Sequence, residues 1–156
     1  IGWKRNFLCQ AATGELIAHW DDDDWYAPTR LEKQLQTLDD HPEAQVCGLY
    51  DVLFYDYIAG SIRLYPGHAS HSFLVGSSLV YWRSYWAQNR FQNIQVGEDV
   101  KFIRQAQANG LAVGLVGGSL MIFRIHERCT APKEPFRQAH HYPSMPNESL
   151  PEGFAI

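Results

Sequence analysis

The sequence predicts a single α/β domain in which helices flank a mixed β-sheet. The chain has 156 residues, of which 46% are hydrophobic and 19% charged, a composition typical of one folded globular domain with a real core. Helix-like and strand-like segments alternate along most of the chain, which favours a sheet with helices on its faces. An acidic run, DDDD at residues 21–24, directly follows an apolar strand segment. In such sheets the ligand site lies beyond the carboxyl ends of the strands.

The first two elements lead up to the acidic run. Residues 4–12 predict a short helix, with Gly14 as its stop signal. Residues 15–20 predict a brief strand that ends at the aspartates. A solvated acidic run more often lies within a helix or a tail, so the position of this run favours a functional role.

A second helix is predicted directly after the acidic run. Pro28 suits the first turn of a helix, because proline lacks the N–H that a first turn leaves unpaired. Leu31, Leu35 and Leu38 recur at i, i+4 and i+7 and so fall on one face, a spacing that predicts a helix. The helix is expected to end before His41.

The middle of the chain predicts further strands and one short helix. Residues 46–57 are rich in Val, Leu, Phe and Tyr and predict one strand, which turns at 58–61 into a second strand at 62–65. Residues 73–82 predict another strand-like segment, followed by a short helix at 83–89.

The last predicted elements are a helix, two strands and a tail. Residues 100–109 predict a helix that ends at Gly110, and two buried strands are expected around a turn at 117–118. We therefore expect a main domain over residues 1–130. The proline-rich stretch at 131–156 is expected to be a tail with little regular structure.

Charge and cysteine content exclude several classes of protein. The formal net charge is −4 and no block of Lys and Arg occurs, so a nucleic-acid partner is not expected. The longest uncharged run, residues 110–123, is shorter than the roughly 20 residues that span a bilayer, so no transmembrane segment is expected. Three widely spaced cysteines, Cys9, Cys47 and Cys129, are typical of reduced thiols. We expect a cytoplasmic protein or one peripheral to a membrane.

The acidic run has three possible explanations. Aspartates at alternate positions after a strand can point to the same side, and Mg²⁺ and Mn²⁺ prefer such carboxylate oxygens. A solvated acidic turn is the second explanation. A calcium-binding structural loop is the third, although DDDDWYAPTRLE lacks the glycine that such loops place near their middle.

Three ordered motifs resemble those of family 2 glycosyltransferases with the GT-A fold. They are KRNFLCQAATGELIAHWDDDDWYAPTRLEKQLQTL at 4–38, VGSSLVYWRSYW at 75–86 and GEDVKFIRQAQANG at 97–110. The resemblance extends over about residues 2–126 and implies a partial GT-A fold. Family members carry an upstream βαβ portion that holds the nucleotide, and this sequence starts after it.

The resemblance implies an activity and its partners. A sugar would move from a nucleotide-diphosphate sugar, UDP-linked by expectation, to a hydroxyl of a carbohydrate or lipid-linked acceptor. The mechanism would be an inverting displacement assisted by Mn²⁺ or Mg²⁺. A catalytically incomplete sugar- or metal-binding fragment of such a protein is the alternative, because the upstream portion is not in this sequence.

The family motif also implies a set of metal ligands. Asp23 is expected to be the principal ligand, with Asp21 beside it. His126 follows a predicted strand and would complete the metal shell. A lone histidine is as often structural, so both roles for His126 stay open.

The catalytic base implied by the resemblance is Asp99, with Glu98 as its neighbour. A positioned carboxylate can take the proton of an acceptor hydroxyl as that hydroxyl attacks the anomeric carbon. Both residues also fall at a predicted helix start, where carboxylates are favoured as caps, so a capping role is the alternative.

The remaining candidate residues would contact the donor or the acceptor. Donor contacts are expected from Arg5, Asp21, Asp24 and Trp25, with a surface salt bridge as the alternative for Arg5. Trp20, Trp82 and Trp86 could also stack on sugar rings, but aromatic residues more often belong to the core. Small residues let a substrate approach the backbone closely, so the acceptor side is expected at Gly76, Ser77 and Ser78.

Overall fold

The computed structural model describes residues 1–65, 73–129 and 142–154, which form an α/β fold of two mixed sheets flanked by helices. The helices are α1 (Gly2–Ala11), α2 (Arg30–Asp40), α3 (Arg83–Gln88) and α4 (Glu98–Ala108). The strands are β1 (Leu16–Ala18), β2 (Trp25–Tyr26), β3 (Val46–Leu49), β4 (Val52–Asp56), β5 (Ser61–Tyr65), β6 (Val80–Trp82), β7 (Ala112–Leu115), β8 (Met121–Ile125) and β9 (Ser144–Met145). Short 3-10 turns occupy Gly76–Ser78 and Asn147–Ser149.

Each sheet contains one parallel pair of strands. The first sheet has four strands in the order β1-β6-β3-β7, and its parallel pair is β3 with β7. The second has five strands in the order β2-β8-β4-β5-β9, and its parallel pair is β4 with β8. The acidic run connects β1, an edge strand of the first sheet, to β2, an edge strand of the second.

The single strand predicted at 46–57 is wrong, because the chain changes sheets within it. β3 ends at Leu49 in the first sheet, and β4 begins at Val52 in the second. Asp51 lies at this crossing, is 5% exposed, and accepts a hydrogen bond of 2.7 Å from the backbone N–H of Gly117. Gly117 lies where the chain crosses again, between β7 and β8, so one buried carboxylate fixes both crossings.

Of the three leucines that share one face of α2, Leu38 alone is buried. Leu31 and Leu35 are 37% and 39% exposed, whereas Arg30 and Gln34 are fully buried beside Leu38. Most of their polar atoms are hydrogen-bonded, which offsets the cost of burial, and only the Arg30 NH2 lacks a partner among the described residues. The Arg30 Nε donates to Gln34 Oε1 over 2.8 Å, and the Gln34 Nε2 donates to the Ser78 carbonyl over 2.8 Å.

Several element boundaries differ from the predicted ones. Gly14 does not terminate α1, because the helix ends at Ala11 and Ala12 is already extended, with φ −66° and ψ 138°. Pro28 lies outside α2, before its N-cap Thr29. The strand predicted at 73–82 is instead the turn at Gly76–Ser78 followed by the three residues of β6.

Other predicted elements are confirmed. Helix α2 ends before His41, and α3 and α4 lie where the sequence places them. Gly110 follows α4 with φ +69°, a left-handed conformation that favours glycine and stops the helix. The two strands expected around 117–118 are β7 and β8, in different sheets.

The core consists of apolar clusters on the faces of both sheets. The largest packs α1, α3 and α4 against the first sheet, and a smaller one lies under α2. Two more clusters cover the second sheet, and Met145, Leu150 and Phe154 pack against one of them. Much of the predicted tail, residues 131–141 and 155–156, lies outside the described residues, and the boundary at residue 130 stays a prediction.

Within residues 1–65, 73–129 and 142–154, no helix combines the length and the apolar character needed to cross a membrane.

Candidate active site

The four aspartates of the acidic run face different surroundings. Asp22 and Asp23 are exposed, whereas Asp21 and Asp24 are half-buried. The Asp21 backbone N–H donates to the Tyr26 hydroxyl over 2.9 Å, which ties the start of the run to β2. The run therefore presents two carboxylates to solvent and holds two against the protein.

Asp23 lies against His126, although the two residues are 103 positions apart. The His126 Nε2 is 3.0 Å from Asp23 Oδ2. The backbone N–H of Arg128 donates to the other ring nitrogen, Nδ1, over 3.1 Å, so in a neutral ring the proton is on Nε2 and is donated to Asp23. Two of the three expected metal ligands are thus in contact.

The donor set suits a divalent cation but is small. A carboxylate and an imidazole are both ligands of Mn²⁺, and the carboxylate suits Mg²⁺. Across the described ranges, no group of three or more His, Cys, Asp or Glu side chains is arranged to hold a metal. The described protein therefore offers two ligands at Asp23 and His126. Oxygens of a substrate or of water would have to supply the others.

Asp24 holds β8 in place and has one oxygen to spare. Its Oδ1 accepts a hydrogen bond of 3.0 Å from the Arg124 backbone N–H. Its Oδ2 is buried, and no described residue forms a hydrogen bond with it. Burial raises the pKa of Asp24 to about 7, against the opposing effect of the Arg124 hydrogen bond. A proton or a cation would satisfy this oxygen.

Arg5 joins the acidic run to the start of α4. Its Nε donates to Glu98 Oε1 over 2.9 Å, in an ion pair whose side chains are 17% and 5% exposed. Burial raises the pKa of Asp21, the positive charge of Arg5 opposes that rise, and the charge of Glu98 adds to it. Arg5 is therefore a cation held between two groups of carboxylates.

Asp99 lies against the turn at Gly76–Ser78. A Cβ atom built on Gly76 would overlap Asp99 Oδ2, so only glycine leaves room for this carboxylate. Burial raises the pKa of Asp99, and the negative charge of Glu98 raises it further. The Asp99 Oδ1 accepts a hydrogen bond of 2.8 Å from the backbone N–H of Val100, so this side chain also satisfies one N–H at the helix start.

The two serines of the acceptor-side prediction are both buried. The Ser78 hydroxyl donates to the Val75 carbonyl over 2.6 Å and accepts from the Leu49 backbone N–H over 2.8 Å. Ser77 Oγ is 3.8 Å from the Met121 sulfur. The Ser78 hydroxyl therefore holds the turn against β3, and substrate contact at this turn stays a prediction.

Trp25 is placed in the packing of the second sheet. It pairs with Ile122 of β8, packs against two core clusters, and has its ring 6.1 Å from the ring of Phe154. Trp20, at the other end of the acidic run, is 54% exposed. The fold gives Trp25 a packing role, and its predicted donor contact is untested.

Sequence reasoning missed His19, a buried residue at the centre of this region. Its Nδ1 lies 2.7 Å from the Gly76 carbonyl oxygen and 2.8 Å from Arg5 NH1, and its Nε2 lies 3.0 Å from the Tyr81 hydroxyl. Burial, followed by the charge of Arg5, lowers the pKa of His19 to about 3, so the ring is neutral. The position of His19 between β1 and the acidic run could have marked it as a site residue.

Sequence reasoning also missed Arg30. This residue is fully buried, and its NH1 donates to the His19 carbonyl over 3.0 Å. Burial lowers the pKa of the Arg30 guanidinium, and the hydroxyl of Tyr26 opposes that effect. The leucine spacing indicated a neighbouring stripe of α2, so nothing in the pattern marked Arg30 as buried.

Residues 1–70 match the model of glycosyl transferase family 2. The matched segment, less than half of the 156-residue chain, is similar to glycosyltransferase family 2. The segment holds Arg5, the acidic run and α2, so the match confirms the resemblance seen in the motifs. The α/β architecture with mixed sheets flanked by helices fits a GT-A type fold. No curated protein matches the chain.

The match to family 2 supports glycosyl transfer in general, and that family implies a nucleotide-sugar donor and an acceptor. Asp99 and His126 lie beyond the matched residues. Their roles therefore rest on the geometry described above.

Proposed function

We propose that this protein transfers a sugar from a UDP-linked donor to a hydroxyl of a carbohydrate or lipid-linked acceptor, with inversion at the anomeric carbon and with the help of Mn²⁺ or Mg²⁺. The observation that carries the proposal is the contact between Asp23 and His126. A family 2 segment contributes the aspartate, and the end of a distant strand contributes the histidine.

Asp23 and His126 are the residues that would hold the cation, with Asp21 and the spare oxygen of Asp24 close along the chain. When bound, the cation neutralises negative charge on the departing diphosphate. Coordination through Nε2 requires that nitrogen to give up the proton it now donates to Asp23. The hydrogen bond from Arg128 to Nδ1 would then be lost as the proton moves to that atom.

Asp99 would act as the base. Its carboxylate takes the proton of the acceptor hydroxyl while the acceptor oxygen bonds to the anomeric carbon and the bond to the diphosphate breaks. A raised pKa makes Asp99 a stronger base than an exposed aspartate. One displacement of this kind inverts the anomeric centre.

Three neighbours support that role. Gly76 leaves space for the Asp99 carboxylate, and His19 holds the Gly76 carbonyl. Arg5 pairs with Glu98 and so limits the negative charge beside Asp99. Glu98, buried in that ion pair, is better suited to setting the charge around Asp99 than to proton transfer.

The metal part of the proposal is tested with Asp23→Asn. Titration of UDP-α-D-glucose and of UDP-N-acetyl-α-D-glucosamine, with and without Mn²⁺, is followed by calorimetry. The variant should lose the Mn²⁺-dependent part of donor binding, since an amide is a poorer ligand for a hard cation than a carboxylate. Asp22→Asn is the matched control, because Asp22 is the exposed neighbour in the same run. Unchanged metal-dependent binding in Asp23→Asn, with an intact circular dichroism spectrum, would refute the assignment.

A sugar- or metal-binding protein without transfer activity is the second candidate. It is favoured by the presence of only two candidate metal ligands in contact among the described residues. Measuring UDP release beside binding separates the two candidates. Mn²⁺-dependent donor binding with no UDP release would favour the second.

A further inference from the structure

Trp20 is an exposed aromatic side chain that the protein holds in a fixed position. Its side chain is 54% exposed, immediately before the acidic run. Its ring centroid is 4.2 Å from that of Tyr26, with 36° between the ring planes. The Arg30 guanidinium carbon lies 5.2 Å from the Trp20 ring centroid. One part of the indole is thus packed while much of it faces outward.

The side chains that pack under Trp20 are buried and hydrogen-bonded. Arg30 is fully buried, and its hydrogen bonds to Gln34 and to the His19 carbonyl fix the guanidinium. The Tyr26 ring is 4.5 Å from the same guanidinium, and its hydroxyl accepts from the Asp21 backbone. Because its supports are fixed, the Trp20 ring loses little further freedom if a ligand covers it.

The neighbours of Trp20 in the chain belong to the candidate active site. His19, on one side, contacts the Gly76 carbonyl, and Gly76 abuts the carboxylate of Asp99. Asp21, on the other side, opens the acidic run. The ring therefore stands at the edge of the region where a sugar would be transferred, with exposed carboxylates nearby to accept hydrogen bonds from hydroxyl groups.

We propose that Trp20 is a carbohydrate-stacking surface, on which the pyranose ring of a substrate lies with its C–H face against the indole. A pyranose matches both features of this edge, since its C–H groups suit an aromatic face and its hydroxyls suit carboxylates. This inference rests on the proposed function and names the sugar contact that the function requires. It assigns to Trp20 the stacking role that the sequence had favoured for Trp25.

The test is saturation-transfer NMR with three sugars that contain a pyranose ring: methyl β-D-glucopyranoside, methyl β-D-galactopyranoside and N-acetyl-D-glucosamine. No nucleotide and no metal are added, so the sugar contact is read separately from donor binding. The wild type should transfer saturation to ring C–H protons of at least one sugar. Trp20→Ala should weaken that binding by roughly 2- to 10-fold, the factor expected for the loss of an aromatic contact.

Two further variants make the result specific. Trp20→Phe keeps an aromatic face and should retain most of the signal. Trp3→Ala removes another exposed tryptophan, 61% exposed on α1, and should leave the signal unchanged. The amide NMR spectrum of each variant checks that the fold is kept. If Trp20→Ala does not fold, the comparison of Trp20→Phe with Trp20→Leu replaces it.

Three results would overturn the inference: no saturation transfer in the wild type, equal transfer in Trp20→Ala, or a loss confined to Trp3→Ala. Asp23→Asn serves to separate this inference from the proposed function. If the wild type shows Mn²⁺-dependent donor binding but no pyranoside binding, the role of Trp20 is refuted and the proposed function is retained. If the pyranosides still bind but neither the wild type nor any variant shows Mn²⁺-dependent donor binding, metal-assisted transfer is refuted and the sugar-binding role of Trp20 is retained.

Discussion

At the scale of single residues, the charge of Arg5 opposes that of the carboxylates on both sides of the candidate site. Arg5 pairs with Glu98 at 2.9 Å and opposes the rise in the pKa values of Asp21 and Asp99. Both of these carboxyls still have raised pKa values, because burial has the larger effect. The candidate site thus combines a half-buried carboxyl with a raised pKa at Asp99, the proposed base, and an exposed carboxylate at Asp23, the proposed metal ligand.

The close contact at Gly76 gives the first prediction. Gly76→Ala places a methyl group where the Asp99 carboxylate lies, so the carboxylate must move away. Transfer or hydrolysis of a UDP-sugar should fall nearly as far as in Asp99→Asn. The double variant should be little worse than either single one, because both changes remove the same group. Gly118→Ala is the control, since its added Cβ would lie 3.3 Å from the nearest atom. Normal turnover in Gly76→Ala would contradict the role of Asp99.

The pKa of Asp99 gives the second prediction, which concerns pH. Because the pKa of Asp99 is raised, its carboxylate should become protonated at a higher pH than an ordinary aspartate does. The rate should fall over the same pH range, because only the carboxylate can act as the base. Glu98→Gln removes a negative charge that raises this pKa, so the acid limb of kcat/KM should move to lower pH. Glu32→Gln, in the exposed first turn of α2, should leave the profile unchanged. An acid limb that stays in place or moves upward in Glu98→Gln would contradict the account.

At the scale of elements, polar contacts determine which face of α2 is buried. Gln34 connects Arg30 of the same helix to the carbonyl of Ser78 beside β6. Helix α2 therefore holds both the turn at Gly76–Ser78 and the Arg30 guanidinium under Trp20. Its exposed leucines contribute little to this arrangement.

The third prediction compares two α2 variants. Gln34→Ala leaves the Arg30 Nε and the Ser78 carbonyl buried without these partners, and should lower the free energy of unfolding by about 1–3 kcal/mol. Leu35→Ala should cost clearly less, because Leu35 is 39% exposed. Urea unfolding of both variants measures the difference. A larger loss in Leu35→Ala would contradict the conclusion that the contacts of Gln34 determine the buried face.

An element can be predicted from the sequence when the residues that define its ends are its neighbours in the chain. Gly110 ends α4, and the turn before β5 has Gly60 at φ +59°, so nearby glycines locate these elements. The division of residues 46–57 between two sheets depends on Asp51 and on Gly117, 66 residues away. No local pattern contains that contact.

The same distinction applies to the site. The resemblance to family 2 motifs was sufficient to nominate Asp23, His126 and Asp99. The choice of Trp20 over Trp25 as the sugar-stacking residue depends on the pairing of β2 with β8. That pairing packs the Trp25 side chain against the core of the second sheet. Exposure of an aromatic side chain is a tertiary property, and the sequence could not supply it.

At the scale of the whole molecule, the described C-terminal segment packs on the sheet that supports the site. Strand β9 pairs with β5, and the Phe154 ring lies 5.4 Å from that of Tyr55. The Arg124 guanidinium carbon is 5.2 Å from the Phe154 ring centroid. Arg124 is also the residue whose backbone holds Asp24. The segment is thus linked through β8 to the acidic run.

The fourth prediction tests this packing. Phe154→Ala should lower the free energy of unfolding by roughly 1–2 kcal/mol, less than for a fully buried phenylalanine because the ring is only partly covered. Phe7→Ala is the matched control, since Phe7 is 58% exposed on α1 and should change stability far less. Equal effects of the two changes would show that residues 142–154 add nothing to the stability of the second sheet.

The central claim, metal-assisted inverting transfer with Asp99 as the base, is tested most directly by the configuration of the first product. Water serves as the acceptor, UDP-α-D-glucose and UDP-N-acetyl-α-D-glucosamine as donors with Mn²⁺, and proton NMR follows the released sugar before it mutarotates. We expect the β-anomer first, and a rate roughly 10²–10⁴-fold lower in Asp99→Asn with donor affinity nearly unchanged. Release of the α-anomer first, or near-normal turnover in Asp99→Asn, would contradict the mechanism.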